Sequence, residues 1–357
     1  MAAPIAPLPA PIHSLDFDPL RVLAERFAAS GAAPLGIEPM TGGASTRRYF
    51  RVTVPGFGTA VAMFVPDGGK PEEVQKHAVQ RRWPFLEVRA LLEERAIRVP
   101  RLYGEDTARG WVLLEDLGDD TLAVFLGKNP ADKRELYTRA VEDLAEAQGH
   151  LATLPADSIV ATRAFDHDLL LWEIQHFREW GLEARGVILG ADDRACLDDI
   201  AERLARRIAD WPRGFTHRDY QSRNLMVCPG RGIVWIDFQD ALLGPRVYDL
   251  VALLNDSYQT FERSFVEERL VEYARAASLG TEESAGLLHQ FDLVTVQRKL
   301  KDAGRFVFID RVKGNPSFLP FVVPTVRKVT LSLERLSDDG DMRVLRALLH
   351  RVLPDEA

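Results

Sequence analysis

Residues 216–249 concentrate the side chains of this sequence that could do chemistry: Asp219, Asn224 five positions later, and Asp237. Asp219 and Asn224 lie between two apolar pieces, Gly214-Phe215 and Leu225-Met226-Val227, which read as short buried strands flanking a polar loop. Asp237 closes a second apolar run, residues 233–236, so a hairpin of two short strands returns its carboxylate beside Asn224. An amide and a carboxylate are both hard oxygen donors, and the pair suits Mg²⁺ carrying nucleotide phosphates. Singly these features have ordinary readings. His217-Arg218-Asp219 reads as a turn with an Asx cap, and Tyr248-Asp249 after Gly244-Pro245 as the start of a helix. The ordered set is what points to phosphate chemistry.

The surrounding elements follow from periodicity. Residues 19–29 place Leu20, Leu23, Ala24 and Phe27 on one helical face, and Ser30-Gly31 ends the run. From Ile37 the period changes to two: strands at 49–54 and 60–65, with Gly42-Gly43 and Gly56-Phe57-Gly58 as turns, make an antiparallel meander. Residues 84–95 form a second amphipathic helix and 111–114 an apolar strand that ends in Glu115-Asp116-Leu117-Gly118. Beyond that turn the pattern is helical: 122–126, 132–154, 168–180, 192–208, 247–254, 261–277, 284–303 and 325–336. Asp166-His167-Asp168 groups metal-ligand types but fits an N-cap with first-turn acids better. Arg298 and Lys301, three apart, share a helix face; a solvated surface explains them as well as a binding patch does. The change of period across 115–118 predicts an α+β chain: a loose tail over 1–15, a small antiparallel-sheet N-lobe over 16–116, and a mainly helical C-lobe over 117–357.

His217-Arg218-Asp219, Asn224 and Asp237-Phe238 resemble the catalytic loop and metal-binding segment of the protein-kinase-like superfamily. His-x-Asp-x-x-x-x-Asn followed by Asp237-Phe238-Gln239-Asp240 resembles its aminoglycoside phosphotransferase branch. Within that branch the sequence is similar to the anomeric sugar kinases that phosphorylate N-acetylmuramate and N-acetylglucosamine in peptidoglycan recycling. The likeness rests on residues 43–49, 217–224 and 237–241, on Gly244-Pro245 and Tyr248-Asp249-Leu250, and on Gln297-Arg298, Leu300-Lys301 and Gly304. It implies a bilobal protein-kinase-like fold, ATP and Mg²⁺ as cofactors, Asp219 as the base, and Asn224 and Asp237 as metal ligands. His217 and Asp249 would support the loop. Gly43, Ser45, Thr46 and Arg47 would lie over the phosphates, although Gly42-Gly43 alone is also an ordinary hairpin turn; the backbone of Glu115 and Leu117 would meet adenine. Gln239 and Asp240, just past the metal ligand, would face the acceptor, and Arg298 and Lys301 would suit the carboxylate of N-acetylmuramate. A polycationic aminoglycoside calls for an acidic pocket instead. The sequence departs from the superfamily in its third strand, where Val61-Ala62-Met63-Phe64 replaces Val-Ala-Ile-Lys; Arg47, Arg48 and Lys70 are candidates for the missing cation. Two other readings stay open: an aminoglycoside or other small-molecule phosphotransferase, and a nucleotide-binding pseudokinase module.

Composition narrows the partners. A chain of 357 residues, 46% hydrophobic and 27% charged, can bury two cores. A net charge of −8 argues against a broad nucleic-acid footprint and leaves a small molecule as the default partner, with no obligate protein partner indicated. Cys196 and Cys228 lack any ligand spacing and read as reduced thiols. Residues 2–11 alternate Ala and Pro without the basic start of a signal peptide, and no apolar run approaches the ~20 residues of a membrane helix. These features predict a cytoplasmic enzyme.

Overall fold

The computed structural model describes residues 15–28, 33–40, 47–66 and 83–356. In chain order the elements are α1 (Asp18–Glu25), β1 (Gly36–Pro39), β2 (Arg48–Val54), β3 (Gly58–Phe64), α2 (Pro84–Glu94), β4 (Leu102–Asp106), β5 (Trp111–Glu115), α3 (Leu122–Lys128), α4 (Lys133–His150), α5 (His167–His176), α6 (Ala191–Ala209), β6 (Arg213–Thr216), β7 (Leu225–Cys228), β8 (Gly232–Trp235), β9 (Leu242–Pro245), α7 (Val247–Leu254), α8 (Arg263–Ala276), α9 (Thr281–Lys313), α10 (Val322–Arg335) and α11 (Gly340–Val352). The expected tail over 1–15 falls almost wholly outside the described residues, as do Gly43, Ser45, Thr46 and Lys70.

The described chain divides into two compact units. The first takes the residues up to Trp83, Arg98–Asp120 and Met226–Ile236. Its five strands pair antiparallel in the order β1-β2-β3-β5-β4. Strand β2 alternates as its period of two requires: Phe50, Val52 and Val54 are buried, while Arg51 and Thr53 point away. Leu20, Leu23 and Ala24 of α1 join Phe50, Val52, Ala62, Trp111 and Leu113 in one core. Strand β4 escapes the sequence pattern because none of its residues is fully buried. Its Gly104 lets α1 close in, since a Cβ there would stand 3.1 Å from Leu23 Cδ2. Strands β7 and β8 form a separate hairpin whose side chains pack with Leu117 and Ile236, and Val227 N–H donates to Asp120 O at 2.8 Å.

The second unit holds Pro84–Ile97, Thr121–Leu225 and the chain from Asp237 on. Helix α9 runs through it, packed against α5, α7 and α10. The sequence pattern ended this helix at Ala303, before Gly304, but it continues to Lys313. Gly304 is a point of close approach: a Cβ there would stand 2.8 Å from His176 O and 2.9 Å from Phe177 Cα. At that crossing α5 passes into a π-helical turn, Phe177–Leu182. Asp166 Oδ1 accepts the Leu169 N–H at 2.9 Å, so this acid caps α5. No described helix is long and apolar enough to cross a membrane.

Candidate active site

The loop that carries Asp219 and Asn224 begins where β6 ends. Strand β6 pairs antiparallel with β9 from Arg213↔Pro245 to Thr216↔Leu242, which sets the height at which the chain turns into His217. Gly244 permits the pairing, because a Cβ there would fall 2.7 Å from Phe165 Cδ2 and 2.9 Å from Thr216 Oγ1. The next helix, α7, brings Asp249 beneath the loop. Its Oδ2 accepts the His217 N–H at 2.6 Å and its Oδ1 the Arg218 N–H at 2.9 Å. Those two bonds hold Arg218 at φ 78°, a left-handed conformation that a non-glycine residue keeps only under constraint. Asp249 is fully buried. Burial pushes its carboxyl up to about 7, against the downward pull of the two N–H donors and Arg298.

Asp219 follows with its N–H on His217 Nδ1 at 3.3 Å and its side chain 35% exposed. Arg298 reaches it from α9, donating through Nη2 to Asp219 Oδ1 at 3.4 Å and through Nη1 to Arg218 O at 2.7 Å. Burial would raise the Asp219 carboxyl, but Arg298, Lys301 and Arg218 outweigh it and hold the group below the ordinary carboxylate range. Asn224 Nδ2 donates to Asp219 O at 2.9 Å, which ties the two ends of the loop. That bond fixes the amide so that Oδ1 remains an acceptor, with no hydrogen-bond donor among the described residues. The β7–β8 hairpin joins Asn224 to Asp237, which has φ 62°. Gln239 Nε2 bridges Asp237 Oδ1 and Asp240 Oδ2, each at 3.0 Å, and Arg163 Nη1 holds Gln239 O at 3.0 Å. Among the described residues no group of three or more His, Cys, Asp or Glu could hold a metal by itself. An amide oxygen with one carboxylate fits Mg²⁺, which takes one or two protein ligands and completes its shell with phosphate and water.

Residues 36–287 match the phosphotransferase enzyme family. The chain belongs to this family. It is 32% identical over 336 residues to the N-acetylmuramate/N-acetylglucosamine kinase of Pseudomonas aeruginosa, across 92% of this chain and 93% of that one. It is 32% identical over 320 residues to the enzyme of the same name from Neisseria meningitidis, across 88% and 89%. Among solved structures it is similar to the gentamicin complex of APH(2″)-IIa, with a TM-score of 0.58 at 13% identity over 92% of this chain and 98% of that one. Choline kinase LicA from Streptococcus pneumoniae superposes with a TM-score of 0.56 at 14% identity, over 87% and 98%. Likeness at that identity establishes the fold, an α+β kinase-like one with an antiparallel N-terminal sheet.

Several groups of this phosphotransferase lie beyond the motif. Glu173 of α5, fully buried, accepts Arg218 Nη2 at 3.3 Å, Tyr248 Oη at 3.3 Å and Gln297 Nε2 at 2.8 Å. It supplies the counter-charge that a buried guanidinium requires. In the sequence it shows only as an acid inside the apolar run 169–174. Arg298 is itself buried, with its guanidinium 4.7 Å above the Tyr248 ring, so its donors serve the loop and Asp219. Lys301 pairs with Asp302 at 2.9 Å, and Lys299 holds the same carboxylate at 2.8 Å. Asp256 Oδ2 accepts Ser222 N–H at 3.2 Å and Oγ–H at 2.5 Å, which anchors the middle of the loop. In the first unit, Glu115 Oε1 meets Arg231 at 2.5 Å, and the Leu117 N–H has no hydrogen-bond partner among the described residues. Arg51 clamps the same segment through Asp116 at 2.8 Å and Asp119 at 2.8 Å. Met63 is fully buried beside Tyr49 and Val112, and Arg47 and Arg48, half-buried, stand at the start of β2.

Proposed function

We propose that this phosphotransferase uses ATP to phosphorylate the anomeric hydroxyl of N-acetylmuramate and N-acetylglucosamine, a step of peptidoglycan recycling. The observation that carries the reading is Asp219: an accessible carboxylate kept ionised by Arg298, on a loop pinned by Asp249 and tied to Asn224. The identity to kinases named for these two sugars, over about nine-tenths of both chains, supports the choice of acceptor. The aminoglycoside-bound neighbour shares the fold at 13% identity, which carries no substrate. A pseudokinase has no need of a braced base.

Asp219 accepts the hydrogen bond of the anomeric hydroxyl and aims its oxygen at the γ-phosphorus. As the new O–P bond forms and the bond to the β,γ-bridging oxygen breaks, the hydroxyl proton passes to Asp219, leaving ADP and the sugar 1-phosphate. When bound, Mg²⁺ would offset charge on the phosphates, and Asn224 Oδ1 and Asp237 are the groups that would hold it. Gln239, fixed by Arg163, sets the spacing of Asp237 and Asp240. We place Gln239 and Asp240 toward the acceptor, and Lys301, paired with Asp302, behind them as a source of positive charge at Asp219.

The test supplies ATP and Mg²⁺ with N-acetylmuramate, N-acetylglucosamine, the methyl glycoside of N-acetylglucosamine, or kanamycin, and follows ADP release. Turnover of the two reducing sugars only is expected. Turnover of the methyl glycoside would overturn the anomeric assignment, and turnover of kanamycin alone the sugar assignment. ATP binding without transfer to any acceptor would overturn the enzymatic reading.

A further inference from the structure

Among the described residues, the cations around the loop that carries Asp219 are already engaged, with one exception. Arg218 meets Glu173, Arg298 meets Asp219 and a carbonyl, and Lys299 and Lys301 share Asp302. Arg223 is exposed and makes neither ion pair nor hydrogen bond with any described residue. It stands on the catalytic loop itself, four residues after Asp219 and one before Asn224.

Its guanidinium is nevertheless held in place. Arg223 Cζ lies 3.5 Å above the Tyr258 ring centre and 5.7 Å from that of Phe321. The Tyr258 ring packs edge-on against Phe321 at 4.8 Å, within a cluster that includes Phe306, Phe318 and Val322. Asp256 sets the register of cation and platform: one oxygen takes the N–H and Oγ–H of Ser222, next to Arg223, and the other takes the Tyr258 N–H at 2.9 Å. A stacked guanidinium keeps its edge donors in one plane, a fork that matches a carboxylate.

We propose that Arg223, stacked on Tyr258, is the specificity-determining cation that takes the carboxylate of an acidic acceptor, the lactyl group of N-acetylmuramate. The inference rests on the amino-sugar kinase reading and deepens it. Arg298 then acts as a positioning residue for Asp219, and the acid-bearing sugar is selected from the exposed side of the loop.

The test is a cycle of two changes, one in the protein and one in the sugar. Wild type, Arg223→Met and Arg223→Lys are assayed with N-acetylmuramate, its methyl ester and N-acetylglucosamine, and melting temperatures verify folding. Wild type should prefer the acid over the ester, and Arg223→Met should cut that preference by roughly 10- to 100-fold, the worth of a charge-assisted contact, chiefly through KM. Arg223→Lys, which keeps charge but not the fork, should retain part of it and serves as the test variant should Arg223→Met not fold. An acid-to-ester ratio equal in all three proteins, or an equal loss on all three sugars, overturns the inference and leaves the kinase reading intact. Wild-type protein inactive on every sugar overturns both.

Discussion

Replacing Asp249 with Asn isolates the brace beneath the catalytic loop. The carboxylate accepts two main-chain N–H groups, at 2.6 and 2.9 Å, one on each oxygen. Asn has one acceptor oxygen, so its amide NH₂ must face the second N–H. The change removes a charge-assisted bond worth about 1.5–3 kcal/mol and strands a buried donor at about 1–3 kcal/mol. Part is recovered if Arg218 leaves its left-handed φ of 78°, a conformation costing about 1–3 kcal/mol. The net stability loss is therefore about 2–3 kcal/mol. A loop displaced by about 1 Å takes Asp219 out of line, and kcat should fall by roughly 10² with ATP affinity little changed. Protonating Asp249 weakens one of the two acceptors without turning an NH₂ against the second N–H, and it relieves the burial of the charge. With burial pushing its carboxyl up to about 7, between about pH 4 and 7 the folded state holds a proton that the unfolded chain has lost. The stability due to this group is thus complete below about pH 4 and is lost as pH rises through about 7. Activity moves the other way, since only the carboxylate serves both N–H groups: wild-type kcat should decline below about pH 7, and Asp249→Asn should lack that limb. Calorimetric melting and kcat against pH at saturating substrates check both. A folded Asp249→Asn enzyme with wild-type kcat, or one that keeps the acid limb, would refute the reasoning.

Asp237→Ala should abolish turnover and weaken Mg²⁺-dependent ATP binding, measured by titration calorimetry with and without the metal; unchanged Mg·ATP affinity would defeat the ligand assignment. Asp219→Asn should lower kcat by roughly 10²–10⁴ while melting temperature and ATP affinity hold; a less stable variant whose folded fraction keeps full activity would reduce Asp219 to a turn cap. Gly304→Ala gains about 1 kcal/mol of helix propensity but drives a methyl into the His176–Phe177 backbone. Overpacking of about 1–3 kcal/mol should win, so a melting temperature at or above wild type would contradict the close crossing.

What the sequence made legible was local. Asp219, Asn224 and Asp237 stand out because a short loop and a hairpin fix their relative places, and Asp249 because a helix follows Gly244-Pro245. Glu173, Asp256 and Asp302 are carboxylates whose meaning lies in partners far along the chain, or in packing that decides which face of α9 is buried; in the sequence Glu173 is an acid in an apolar run, Asp256 stands between Asn255 and Ser257, and Asp302 follows two lysines. Arg298 and Lys301 share a face by spacing, yet only tertiary packing shows Arg298 spent on the loop and Lys301 on Asp302. Strand β9, Leu242–Pro245, ends in Gly-Pro and has no alternation to read; it exists because β6 needs a partner.

In the base role proposed for Asp219, the cations around it also narrow what it can deprotonate. Arg298, Lys301 and Arg218 hold its carboxyl below the ordinary range, which makes it a weaker base than a free aspartate. Taking a proton from an ordinary alcohol is then steeply uphill, whereas an anomeric hydroxyl is more acidic and the mismatch is smaller. In a loose phosphoryl-transfer transition state the attacking oxygen keeps most of its proton until late, so orientation counts for more than base strength. An unshielded carboxylate beside the phosphoryl group would repel the anion that must approach it; with Arg298 on Oδ1 that charge is partly neutralised while the second oxygen remains an acceptor. The same arrangement thus sacrifices basicity for alignment and for tolerance of a phosphate, a compromise suited to an acceptor whose hydroxyl is already acidic.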